Sequence, residues 1–564
     1  RLGQVRRLIQ RQGEEELPDG TLGTRYRFAH GLYQSVLYQD LVASRRVQIH
    51  GRIAEQLKQR WGEQAPRLAA EIARHCESGR DFGEAVAFRL HTADNALERF
   101  AFDEAAEQCD WAARLVEKIP AEERRGILGS LYGKRGKVRH EQARFDEAAS
   151  DFQRMLEEAR AEDSIDAERA ALTGLCDALF FARRVEEMES HARELLDVAS
   201  RSGREGDAAE ARSRLGQVLV CAGRFAEAIP LLDGVIEEAR ESGPPVALQL
   251  GLTYRGFVHY WQAEYQKAEV LMDEAAPIAA DRGAFDFLAA RMFVGLSRVK
   301  QGRISEGMKE FTEAISLGRR NQDRFWLPRL VSHMGWAHRE ILAPERALAF
   351  DTEAHKLMRE IGRPAAPETE GLLVLANDAV RLGDLEQASA LLAELEEKTT
   401  DGQWFRWVDE LRVAKVSAER WAALDEWDKA AAAADQLLAL SRRLGARDYR
   451  CAAERHRAEV ALARGEDVDV VSRRLAQAMK ELRRSPTPLE EWQTARILGR
   501  LRRHQGDRAG AAEAFAEGAA AIRVIADGIK DAGLRQGFLS AAPVREVLDG
   551  ALGVADADGP KASR

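Results

Sequence analysis

Read for its hydrophobic and polar positions, this chain repeats itself. Several segments carry a small residue, a glycine or polar turn about seven residues later, then an aliphatic or aromatic residue, then alanine. "LGQVLVCAGRFAEA" (Leu215 to Ala228) is the clearest, and "RGKVRHEQARFDEA" (Arg135 to Ala148) and "RGFVHYWQAEYQKA" (Arg255 to Ala268) match it. The first small position recurs at Gly136, Cys176, Gly216, Gly256, Gly295, Gly335, Ala376, Ala418, Ala458 and Gly499. The second recurs at Ala148, Met188, Ala228, Ala268, Gly307, Ala347, Ala388, Ala430, Val470 and Ala511. The step is about 40 residues each time, the range that marks helical solenoids.

The physical reason is close approach. Two antiparallel helices cross tightly only where small side chains meet, and the residue between them (Phe145, Phe225, Tyr265, Leu385, Trp427) plugs the corner. One pair cannot bury its apolar face, but a stack can. The pattern of small residue, turn, aromatic and alanine resembles the tetratricopeptide repeat, with longer helices than the usual unit, over roughly Ala65 to Ala520. HEAT or armadillo repeats share the period but leave the paired small positions unexplained. The expected fold is all-α: a right-handed α-solenoid of about eleven TPR-like repeats.

The front does not follow the period. "LGQVRRLIQRQ" reads as a helix. "ELPDGTLGTRYRF" carries a Pro-Asp-Gly turn, then alternation at Tyr26 and Phe28, and predicts a small hairpin. "GLYQSVLYQDL" is again helical, with Leu32, Val36, Leu37 and Leu41 on one stripe. Helix, hairpin and helix suggest the end of a winged-helix unit. The expected divisions are a winged-helix remnant and connecting helix (1–64), irregular entry repeats (65–125), the regular array (126–525), a C-terminal cap (526–552) and a disordered tail (553–564).

"YRFAHGLYQSVLYQDL…SRRVQIHGRIAEQL" resembles the junction in signal-transduction ATPases of the STAND class, where a winged helix passes into a tetratricopeptide array. The matching positions are Tyr26, Phe28, His30, Leu32, Tyr38, Leu41, Arg45, Arg46, His50 and Ala54. "GLRQGFLSAAPVREVL" resembles the closing motif of bacterial members whose upstream modules are nucleotide cyclases or Ser/Thr kinases. The resemblance implies an ATPase domain, with its ATP or ADP, before Arg1. This chain carries no GxxxxGK[ST] and no following acidic strand, so no cofactor is expected within it. It also implies that His30 could sense the nucleotide; the alternative is that His30 orders the hairpin–helix corner.

Composition narrows the function classes. The 564 residues exceed what one globular core holds, and a net charge of −9 argues against broad nucleic-acid or membrane binding. No apolar run is long enough to span a bilayer, and five scattered cysteines form no CxxC, which fits a reducing, cytoplasmic setting. "GILGSLYGKRGK" (Gly126 to Lys137) has its glycines at helical spacing and reads as close packing, not as a phosphate loop. The histidines show no metal-ligand spacing, and no nucleophile motif is present.

The informative surface is the inner one. Counting from the first small residue, the inward positions of the first helix lie near −3, +1, +4 and +5. They give Phe180 and Phe181, then Phe257, Tyr260 and Trp261, then Met292, then Ser332, Trp336 and Arg339. Later repeats give Asn377 and Arg381, then Lys415 and Glu419. An aromatic groove with polar edges suits a protein, a peptide or a small amphipathic ligand; the alternative is packing between adjacent repeats. A basic patch follows, with ten Lys or Arg against four acids between Arg473 and Arg508, in which Arg496, Arg500, Arg503 and His504 align. It suits an acidic partner or simple solvation. The function expected is a sensor arm regulating an upstream STAND ATPase. A constitutive scaffold, or a regulator whose DNA-binding domain lies elsewhere, are the alternatives.

Overall fold

The computed structural model describes residues 8–16, 20–204, 206–241, 243–280, 284–360, 366–398 and 405–553. Of the tail expected from 553 onward, only Gly553 falls among them.

The chain opens on a hairpin in which β1 (Ile9–Glu16) pairs antiparallel with β2 (Leu22–Phe28), Ile9 opposite Phe28. This corrects the reading of "LGQVRRLIQRQ" as a helix: from Ile9 onward the segment is strand. Cross-strand pairing with Leu22–Phe28 outweighs its local helical preference. His30 caps the helix that follows, Gly31–Gln39, by accepting a hydrogen bond on Nδ1 from the Leu32 amide at 3.1 Å.

Antiparallel helix pairs then form a TPR-like α-solenoid. Phe82–Leu97 and Phe102–Val116 lead into pairs running from Ile127–Glu141 and Phe145–Ala161 to Pro488–His504 and Arg508–Gly528. Two short helices close the described chain, Ala532–Ser540 and Ala542–Ala551.

The repeat's grammar has a backbone cause. Seven residues after each first small position, one residue is left-handed: Ala143, Arg183, Gly223, Ala263, Gly302, Leu342, Gly383, Asp425, Gly465 and Gly506. Each ends the first helix of its pair and reverses the chain. Sixteen residues after the small position, a side chain of the second helix fills the space that the small residue leaves. A Cβ added at Gly216 would lie 2.6 Å from Leu232, at Gly295 2.5 Å from Phe311, and at Gly499 2.6 Å from Phe515. The second small positions Ala148, Ala228, Ala268, Ala347 and Ala388 are fully buried. Val470 departs from the pattern and is exposed; its helix, Val468–Leu482, buries Val468 in its place.

The chain divides into two compact units, Arg1–Gly203 and Arg204–Arg564. Within the second, the solenoid winds tightly enough for residues 183 to 187 apart to touch. The Phe405 amide donates to the Cys221 carbonyl at 3.0 Å. Trp407 Nε1–H donates to the carbonyls of Val220 and Cys221. The Tyr265 hydroxyl donates to Asp448 at 2.7 Å, and Lys300 pairs with the same carboxylate at 3.2 Å. One turn of the superhelix thus rests on the next through aromatic rings, carbonyls and a buried ion pair.

Candidate functional site

The inner positions divide into an aromatic set and a charged set. Phe257, Tyr260 and Trp261 are buried; Tyr260 meets Tyr265 and Phe293, while Phe257 and Trp261 pack against more than the adjacent repeats. Phe257 meets Phe405 at 4.8 Å between ring centroids, Trp261 meets Trp407 at 5.0 Å, and Trp261 stacks on Tyr449 at 5.9 Å. These partners come from the following superhelical turn. Met292 is buried too. Trp336 is half-buried, with the Lys300 ammonium 5.7 Å from its ring centre. In the first unit Phe181 stacks on Phe145 at 5.0 Å and sits edge-on to the buried Phe180 at 4.9 Å.

The charged set surrounds a cavity of about 300 Å³. Five successive first helices line it: Trp326–Glu340, Ala366–Leu382, Arg406–Ala423, Arg447–Arg464 and Pro488–His504. The structure therefore brings Arg339, Asn377, Arg381, Lys415, Glu419 and Arg496 together in one place. Glu340, Arg455, His456, Glu459, Trp492 and Gln493 join them. The signal for several of these was present in the repeat: Glu340 is position +5 from Gly335, Arg455 and Glu459 are −3 and +1 from Ala458, and Trp492 lies two helical turns before Gly499.

Part of this charge is satisfied within the wall. Arg339 is held by Asp351 at 2.8 Å and by Asp378, all three buried. Arg381 pairs with Glu419 at 3.0 Å, and Arg455 with Glu490. His456 donates from Nδ1 to Glu459 at 3.0 Å. Burial resists ionisation of Glu459, but the His456 hydrogen bond and nearby guanidinium groups prevail, and its pKa falls to about 2.

The remainder is not satisfied. Asn377 Oδ1, Glu419 Oε2, His456 Nε2 and Trp492 Nε1 are buried without a hydrogen-bond partner. Lys415 and Glu340 make no ion pair or hydrogen bond among the described residues. Burial opposes the Glu340 charge, but Lys415 and Lys300 outweigh it, so the carboxyl stays below its ordinary pKa and remains ionised. Unpaired polar atoms in a low-dielectric wall cost free energy, and here they converge on one space.

The basic patch is only partly free. Arg500 grips Glu546 with two hydrogen bonds at 2.5 and 2.6 Å, while Arg496 reaches the same carboxylate only at 3.6 Å. Burial and the neighbouring Arg500 lower the Arg496 pKa. Arg503 lies over the Phe515 ring at 4.5 Å, and His504 is exposed. Only Arg496 of the four reaches the cavity. His30 lies in the other unit and serves there as a helix cap. Among the described residues, no group of His, Cys, Asp and Glu is placed to hold a metal ion, and no helix is long and apolar enough to cross a membrane.

No family model and no curated protein matches this chain. Solved structures of helical repeat proteins do. A Rap protein complexed with competence and sporulation factor aligns with 65% of this chain and 100% of its own, at 12% identity and a TM-score of 0.49. The apo quorum sensor NprR from B. thuringiensis aligns with 63% of this chain and 98% of its own, at 14% identity and a TM-score of 0.46. Yeast Tom70 aligns with 88% of this chain and 99% of its own, at 14% identity and a TM-score of 0.31. At TM-scores this low the likeness carries no argument about this chain.

Proposed function

We propose that this chain is the sensor arm of a STAND-type ATPase, and that a polar, charged ligand in the inner cavity of the second unit sets the state of the arm. The observation that carries the reading is the convergence of unpaired buried donors and acceptors on one cavity. A wall that ended its task at packing would be expected to satisfy them internally. The ATPase attachment, with nucleotide sensing at His30 as part of it, rests on the resemblance of residues 25–54 and 533–548 to that class.

The mechanism is linkage. A ligand touching five successive repeats favours the solenoid curvature in which all five reach it. That preference is transmitted to whatever the other end of the chain contacts. The turn-on-turn contacts at Trp407, Asp448 and Lys300 make curvature a property of the whole second unit, because they tie distant repeats together.

The test is hydrogen exchange on the full chain with a small-molecule extract of cells. Exchange should slow in the helices Arg406–Ala423, Arg447–Arg464 and Pro488–His504. Asn377→Trp, which fills the cavity from its wall, should abolish the effect. In a longer protein that carries the ATPase, the same extract should change the rate of nucleotide hydrolysis, and Asn377→Trp should block that change. Protection elsewhere, or protection that survives the substitution, would refute the cavity as the site.

A further inference from the structure

The order of the unpaired groups along the cavity wall defines a chemistry more specific than polarity. The Trp326–Glu340 and Ala366–Leu382 helices contribute acceptors, the Glu340 carboxylate and Asn377 Oδ1. The Pro488–His504 helix, at the other end of the five, contributes donors. These are the Trp492 indole N–H, which has no partner, and Arg496, which shares its only carboxylate with a stronger claimant. Between them the Arg406–Ala423 helix places Lys415 and the free Oε2 of Glu419.

The groups left without a hydrogen bond thus divide into acceptors at one end, beside the internally paired Arg339 and Arg381, and donors at the other. A purely anionic ligand would leave Glu340 and Asn377 unmatched and would face three carboxylates, Glu340, Glu419 and Glu459. A purely cationic one would face five cations, Arg339, Arg381, Lys415, Arg455 and Arg496. An apolar one would strand every group. Only a ligand with separated ammonium and carboxylate charges satisfies both walls. The volume of about 300 Å³ sits at the small end of ligand sites and limits its size.

We infer that the cavity takes a small zwitterion, a free α-amino acid or a very short peptide with both termini charged, its ammonium toward Glu340 and Asn377 and its carboxylate toward Lys415, Trp492 and Arg496. This rests on reading the cavity as a binding site, and it names the class of ligand that site accepts.

The experiment is calorimetric titration of the full chain with the twenty free amino acids and a panel of dipeptides, followed by N-acetylated and C-amidated forms of the best binder. At least one unmodified compound should bind. Each capping, which removes one charge, should weaken binding by about tenfold or more. In Glu340→Gln the acetylated and free-amine forms should become nearly equal, and in Lys415→Met the amidated and free-acid forms. Both variants should keep the wild-type helical spectrum, and Glu340→Gln should melt slightly lower, since it removes a carboxylate whose charge Lys415 and Lys300 favour. Binding that survives both cappings in the wild type overturns the zwitterion. So does a panel with no binder while the cell extract still protects the cavity helices, and in that case the site stands with a different ligand. If neither panel nor extract protects those helices, the site itself is overturned.

Discussion

Trp407 offers the sharpest test of how the second unit is held together. Its side chain is 3% exposed and comes from the superhelical turn that follows the one it contacts. It touches Phe225 at 5.1 Å and Trp261 at 5.0 Å between centroids, and donates to the carbonyls of Val220 and Cys221 at 3.2 and 3.1 Å. The turn at Gly223 is shaped to receive it: a Cβ there would lie 2.9 Å from the indole. Trp407→Ala removes the ring, opens a cavity between the turns and takes the indole donor from two carbonyls that keep only the Gly223 and Phe405 amides. Such a truncation costs about 3–5 kcal/mol. The contact joins residues 186 apart, so the loss should reach both turns instead of staying in one repeat. Hydrogen exchange in the full chain reads this directly. Peptides covering 215–228 and 405–423 should exchange about a hundredfold faster or more, the equivalent of about 3 kcal/mol. Trp407→Phe keeps the apolar contact and loses only the donor, so it should cost about 1 kcal/mol. Exchange in Trp407→Ala within a few-fold of wild type at both segments would refute turn-on-turn packing as a source of stability.

Other consequences are simpler to read. The Asp378 pKa is pushed up to about 7, chiefly by burial, with Asp351 adding to it against the pull of Arg339. Its folded carboxyl therefore keeps a proton that the unfolded chain has released, and its contribution to stability is present below about pH 4 and lost as the pH rises to about 7; Asp378→Asn should gain on wild type across that window in melts recorded against pH. Arg339→Met leaves Asp351 and Asp378 buried without their shared guanidinium, and should lower stability by about 3–5 kcal/mol in chemical denaturation. Asp425 ends its helix at φ 58°, a left-handed conformation that glycine adopts without strain, so Asp425→Gly should raise the unfolding free energy by about 1 kcal/mol. Gly295→Ala would drive a methyl against the buried Phe311 ring and should cost about 1–3 kcal/mol.

Much of the site was legible before the fold was known, but its character was not. The inward register found Arg339, Asn377, Arg381, Lys415 and Glu419, and the basic run found Arg496. Applied one repeat further, the same register reaches Arg455 and Glu459. What it could not rank was the aromatic set against the charged set. Phe257 and Trp261 hold inward positions just as Arg339 does, but their partners Phe405, Trp407 and Tyr449 lie about four repeats downstream. No local pattern reports a contact at that distance. The strand at Ile9–Glu16 was missed for a related reason: its partner, and not its own periodicity, made it a strand.

The sequence by itself determined the unit of this protein. A small residue, a left-handed turn seven positions later and a filling side chain at sixteen prescribe one helix pair, because each is a requirement of close packing within that pair. Tertiary structure alone decided the curvature. Within the second unit a rotation at each pair accumulates until one turn rests on the next, burying the aromatic positions and enclosing the charged ones. That sum depends on every interface at once and is written at no single position. The same rule of inward spacing therefore gives a packed aromatic seam in one stretch of the solenoid and a cavity lined with unpaired charge in another.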